Sequence, residues 1–238
     1  MAANTTKALR QAYARLFHIF YHKTYSEKAS FNDIKNLVNL ADQYCCLPIV
    51  AQTAESMLIA WTRGRDTIAE IRPIDTILLA IKIRSKTMYH DAFIHFVGGL
   101  DNGDIPNRPQ MQRLPAAVRE HVLIARLDIA ELRKGVYQAL TWFAMAMARN
   151  RIDVPVSLKT FFDDAKGEDY DVVQYRTLLD IVNKIKTDRK MWQIDSLQKA
   201  ISKVLHNRLR LNYDPVSYNH LVCAKVSDMY PWNDEGDW

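Results

Sequence analysis

A chain of 238 residues with 48% hydrophobic side chains carries enough apolar material for one large core or two small ones. Its 32 basic and 27 acidic residues leave a net charge of +5 on a mixed surface, which excludes a polycation and long disordered tracts. Three cysteines, two of them adjacent, exclude a disulfide framework, and no run reaches the roughly 18 apolar residues of a membrane-spanning helix.

Sustained two-residue alternation of β-branched residues is missing, whereas apolar residues recur at i, i+3, i+4 and i+7 along nearly every segment. The expected fold is all-α, an irregular array of many helices. The first helix is predicted over about Thr6 to His22, with Leu9, Tyr13, Leu16, Phe17 and Phe20 as an apolar stripe beside Arg10 and Arg15. The acid-free stretch from Met1 to Ser26 is similar to a mitochondrial transit peptide, but the stripe reads more simply as the core face of a helix. No secretory signal pattern is present, so a reducing compartment, cytosol or nucleus, is expected.

Ser30 and Asp33 have the spacing of a capping box, which opens a helix to Tyr44 that buries Phe31, Ile34, Leu37, Val38, Ala41 and Tyr44. Pro48 fits the first turn of the next helix, whose face is Ile49, Val50, Thr53, Ala54, Met57, Leu58 and Trp61. Cys45-Cys46-Leu47 is then the corner of a helical hairpin. Further helices are predicted over about Pro73–Ser85 and Thr87–Val97, the second stopped by Gly98-Gly99. An irregular connection over 100–114, rich in Pro and turn residues, leads to the longest helix, from Pro115 to about Asn150, with a bend expected near Gly135. Shorter helices follow near 157–165, 170–186, 195–211 and 215–228.

The candidate sites are weighed by spacing. Adjacent cysteines point about 100° apart on a helix and no second pair follows, so Cys45-Cys46 lacks zinc-ligand spacing even with His18 and His22 at i,i+4. At least one of the two thiols is expected to be buried, without metal. C-x-x-C, G-x-S-x-G and the glycine-rich phosphate loops are absent, and His90 and His95 leave a helix in different directions. The acidic run from Asp163 to Asp171 lacks the glutamate that closes a calcium loop and reads as a solvated helix start. No catalytic, cofactor-binding or metal residue is expected.

Residues 184–210 hold eight basic residues against two acidic ones. Lys199, Lys203, His206 and Arg210 follow i, i+4, i+7 and i+11 on a helix whose other side is Leu197, Ile201, Val204, Leu205 and Leu209. Lys199, Lys203 and Arg210 are the candidate partner-binding residues. Such a row reads as a solvated face or, in the alternative, as a contact for nucleic-acid phosphates.

The stretch YHKTYSEKASFNDIKNLVNLADQYCCLPIV, with Leu40-Ala41-Asp42-Gln43-Tyr44 at the end of its first hairpin helix, resembles the distal helical part of a BTB/POZ domain. The cysteine-leucine-proline corner and the terminus Pro231-Trp232-Asn233-Asp234-Glu235-Gly236-Asp237-Trp238 are similar to those of fungal BTB-domain proteins. The resemblance implies a partial BTB-like region over 1–62 and a BACK-like helical extension over 63–238 packed on it. It implies a non-enzymatic protein-interaction module, an adaptor or scaffold, with a protein partner and no cofactor. The chain enters the family pattern in its helical half. The expectation therefore leaves out the strand-built surfaces that such domains use for dimerisation and for part of their cullin binding.

Overall fold

The computed structural model describes residues 2–21, 29–61, 68–100, 108–149, 156, 158, 171–188, 192–211, 220–228 and 230–232. Every regular element among them is a helix: α1 Ala2–Phe20, α2 Phe31–Gln43, α3 Leu47–Trp61, α4 Ile68–Ile71, α5 Pro73–Lys82, α6 Lys86–Gly98, α7 Pro109–Gln112, α8 Ala116–Arg149, α9 Val172–Asp188 and α10 Trp192–Val204. No helix among the described residues is long and apolar enough to cross a membrane. The expected helix near 157–165 lies mostly outside the described residues.

The chain divides into two compact units. The first comprises Met1–Phe96, Pro106–Arg119 and Ser227–Trp238, and the second Val97–Ile105 and Glu120–Val226. This is a division by packing, whereas the 1–62 and 63–238 regions above follow family resemblance.

In the first unit α2 packs on α1, α3 and α5. The capping box is formed as expected, with the Asp33 amide donating to Ser30 Oγ at 3.2 Å and the Ser30 amide to Asp33 Oδ2 at 2.9 Å. The α1 stripe is corrected. Leu16 is buried with Ala12 and Arg15, while Leu9, Phe17 and Phe20 are exposed. The inward arc is rotated by about one residue because Arg15 turns in to pair with Asp33.

Tyr44 is also corrected. It lies on the surface, its hydroxyl bonded to that of Tyr13 at 2.8 Å, because it is the residue that closes α2 and no longer shares the helix's inner face. Cys45 follows with φ of 53°, and the Cys46 amide reaches back to the Ala41 carbonyl at 2.8 Å while the Cys45 amide reaches that of Asp42 at 3.1 Å. These two bonds form a Schellman motif, which satisfies carbonyls that a helix end leaves without partners.

The same corner recurs at the end of α5. Arg84 has φ of 52°, the Ser85 amide bonds to Ala80 at 2.9 Å and the Arg84 amide to Ile81 at 3.3 Å. Ser85 then caps α6, accepting from the Met88 amide and donating to Glu55 at 2.6 Å. Lys82 ties the two hairpins together, bonding to Asn39 and Asp42 of α2. On α6, Tyr89 meets Phe93, Tyr230 and Trp232, with Tyr230 and Trp232 stacked on each other at 4.9 Å.

The second unit is built on α8, which runs unbroken through Gly135. From Glu120 onward it buries Val122, Ala125, Ile129, Val136, Leu140, Phe143 and Met147, a stripe of three-, four- and seven-residue steps along one face that explains the length of the helix. α9 packs on α10. Asp171 and Gln174 form a second capping box at the start of α9. The helix expected over 215–228 is not formed in its described part, residues 220–228. Leu221 to Ala224 are buried consecutively there, a demand that a one-sided helix does not meet.

Candidate functional site

α10 presents Ile194, Leu197, Ile201 and Val204 inward, so Lys199 and Lys203 fall on its outer side, one turn apart. The expected helix continues to Leu211, but the structure ends it at Val204. Asn207 takes the Leu209 amide on its side chain at 3.0 Å, and the Arg208 amide turns to the Val222 carbonyl at 3.1 Å. A short polar side chain and a tertiary partner thus replace the i to i−4 ladder. Arg210 lies beyond that break, so the cationic row is corrected: Lys199 and Lys203 are brought together, and Arg210 leaves the face.

Lys199 and Lys203 line a groove of about 620 Å³ with Arg208, Lys225, Asp128 and Glu131. Cys223 is at its floor, fully buried, and burial pushes its thiol up to about 11. That side chain stays protonated near neutral pH and is a poor nucleophile.

A second groove of the same unit, about 370 Å³, lies where α8 passes α10. Gly135 and Ala139 supply a floor of small residues, and Trp142 and Trp192 stand beside it, each 64% exposed. Trp142 falls between the buried positions Leu140 and Phe143 and so cannot join the inner stripe. The signal lies in the sequence as a tryptophan out of phase with the apolar period of the helix. Large aromatic side chains held in water beside a concavity are the usual make-up of a protein-binding hot spot.

The cysteine corner holds one buried and one exposed thiol. Cys46 is buried and directs Sγ to the Ala41 carbonyl at 3.4 Å, and burial raises its pKa. Cys45 faces solvent. His18 is half-buried on α1, and His22 lies outside the described residues. No group of three or more His, Cys, Asp or Glu side chains that could hold a metal occurs among the described residues. His90 Nδ1 is 3.1 Å from Asp91 Oδ1 on α6, while His95 is buried further along the helix.

Comparison with protein-family models, curated proteins and solved structures gives no match.

Proposed function

We propose that the chain is a non-enzymatic protein-interaction module, an adaptor or scaffold of the BTB-domain type, that engages a protein partner through the tryptophan groove of its second unit. The carrying observation is the pair Trp142 and Trp192, both mostly in water on the rim of one concavity. Exposing two indoles costs solubility, and burying them against a partner removes on the order of 150–250 Å² of apolar surface each. The resemblance of Leu40 to Tyr44 and of the cysteine-leucine-proline corner to BTB-domain proteins points to the same class of role.

The alternative, a nucleic-acid-associated protein using residues 184–210, has less support. The break after Val204 shortens its cationic row, and the groove that holds Lys199 and Lys203 offers no Phe, Tyr or Trp for base stacking among its lining residues.

Affinity capture from native extract, comparing the wild-type chain with the Trp142→Ala/Trp192→Ala double variant, tests the reading. The expected result is a set of proteins recovered by the wild type and lost with the variant, whose circular dichroism is unchanged. Equal recovery with both chains would sink the assignment to this groove. No recovery above background with the wild type would sink the module reading as a whole.

A further inference from the structure

The groove around Lys199 and Lys203 is separate in its lining from the tryptophan groove, and its charges are arranged in a way that a solvated helix face does not require. Lys199 and Lys203 share one face of α10 at i,i+4, and Asp128 and Glu131 share one face of α8 at i,i+3. Lys225 and Arg208 complete the cationic side from the two segments joined by the Arg208–Val222 backbone bond. Among the described residues Asp128, Lys199, Lys203 and Lys225 make no ion pair or side-chain hydrogen bond, and the nearest cation to Glu131, at 3.7 Å, is Lys134 of its own helix, outside the groove. Both signs of charge are therefore present in one concavity without neutralising each other.

The volume, about 620 Å³, falls within the roughly 300–1,000 Å³ typical of small-molecule sites. Four cations against two carboxylates leave a formal excess of two positive charges, which complements the charge of about −1.5 to −2 on a phosphomonoester at neutral pH. The carboxylates disfavour a long phosphate backbone and instead accept hydrogen bonds from hydroxyl groups. We propose that this groove binds a small polyhydroxylated phosphate ester, its phosphate held by Lys199, Lys203 and Lys225 and its hydroxyl groups by Asp128 and Glu131.

Isothermal titration of the full chain with glucose 6-phosphate, glucose, a phosphoserine peptide and a short single-stranded oligonucleotide tests this. Saturable binding of glucose 6-phosphate is expected with a Kd on the order of 0.1–1 mM, and none of glucose. The Lys199→Glu/Lys203→Glu variant should weaken it about tenfold or more, since two charge-assisted bonds are lost. Lys35→Glu on α2 should leave it unchanged. Asp128→Asn should raise affinity for inorganic phosphate relative to glucose 6-phosphate. No saturation by about 10 mM, or binding indifferent to the lysine reversals, would overturn the proposal. So would tighter binding of the peptide or the oligonucleotide, which would make the ligand macromolecular.

Discussion

Arg15 of α1 is 3% exposed and its guanidinium lies 3.0 Å from Asp33 of α2, the same carboxylate that closes the capping box with Ser30. The pair joins two helices and fixes a helix start at once. The Arg15 guanidinium beside it, helped by the Ser30 donors, holds the Asp33 carboxyl down to about 2 from an ordinary 3.8. A carboxyl depressed in the folded state stabilises it above its unfolded pKa, and that contribution, about 2 kcal/mol here, is lost as pH falls from 3.8 through about 2. Asp33→Ala should cost about 3–5 kcal/mol at neutral pH, because it removes the carboxylate 3.0 Å from a buried cation and uncaps the helix as well. Arg15→Met, which keeps the volume and leaves the cap intact, should cost less. Urea denaturation of the two variants between pH 2 and 7 checks both, and an equal cost for both would remove the pair from the account.

Cys45 and Arg84 occupy the same place in two successive hairpins, each the left-handed residue after a helix end. A side chain in that region costs about 1–2 kcal/mol that glycine does not, partly offset by the greater freedom of glycine in the unfolded chain. Cys45→Gly and Arg84→Gly should therefore each stabilise the chain by about 0.5–1 kcal/mol, seen as a higher denaturation midpoint at unchanged m-value. Native thiol labelling supplies an independent check: Cys45 should react rapidly, Cys46 and Cys223 only on unfolding.

Tyr89 is fully buried among Phe93, Tyr230 and Trp232, and its hydroxyl has no hydrogen-bond partner among the described residues. Burial drives its pKa strongly upward. Removing an orphaned hydroxyl relieves about 1–3 kcal/mol of desolvation while the ring contacts remain. Tyr89→Phe is expected to be neutral or stabilising in thermal denaturation, and Tyr89→Ala to cost about 3–5 kcal/mol. A destabilising Phe substitution would mean that the hydroxyl has a partner after all.

Where a local rule acts alone, the fold was legible in the sequence. Ser30 and Asp33 set the start of α2, Pro73 lies at the first residue of α5, and the apolar period of α8 gave its extent to within a residue of Ala116 and Arg149. Misreadings fall where a long-range partner decides. Arg15 turned inward because Asp33 awaited it, and α10 ended early because Val222 took the Arg208 amide. The segment 221–224 is buried at every residue by neighbours that no window of its own sequence reveals. Of the candidate partner-binding residues, Lys199 and Lys203 could be paired from helical spacing alone; Arg210 was misplaced by the same spacing, carried six residues past the true end at Val204.

Gly98 is such a long-range position. A β-carbon there would overlap the Leu221 carbonyl oxygen and stand 3.0 Å from the His220 ring, so the backbone of 220–221 crosses the helix where only glycine leaves room. Gly98→Ala should cost about 3 kcal/mol, since a carbonyl cannot step aside as a flexible side chain can. Calorimetry reads this directly, and a loss under about 1 kcal/mol would show that the 220–224 segment is free to shift.

Gly135 is the opposite case, and it separates stability from binding. It sits in the interior of α8 with open space around its β-carbon position, and that space is the floor of the tryptophan groove. Gly135→Ala should stabilise the chain by about 0.8–1 kcal/mol through helix propensity alone. Gly135→Phe should keep the fold, because its β-carbon meets nothing within 4 Å and its ring extends into the groove beside Trp142 and Trp192, which it fills. The expected outcome is a thermal midpoint at or above the wild-type value together with loss of the captured partner. A Phe variant that still recovers that partner would show that it docks elsewhere, whatever the alanine variant does to stability.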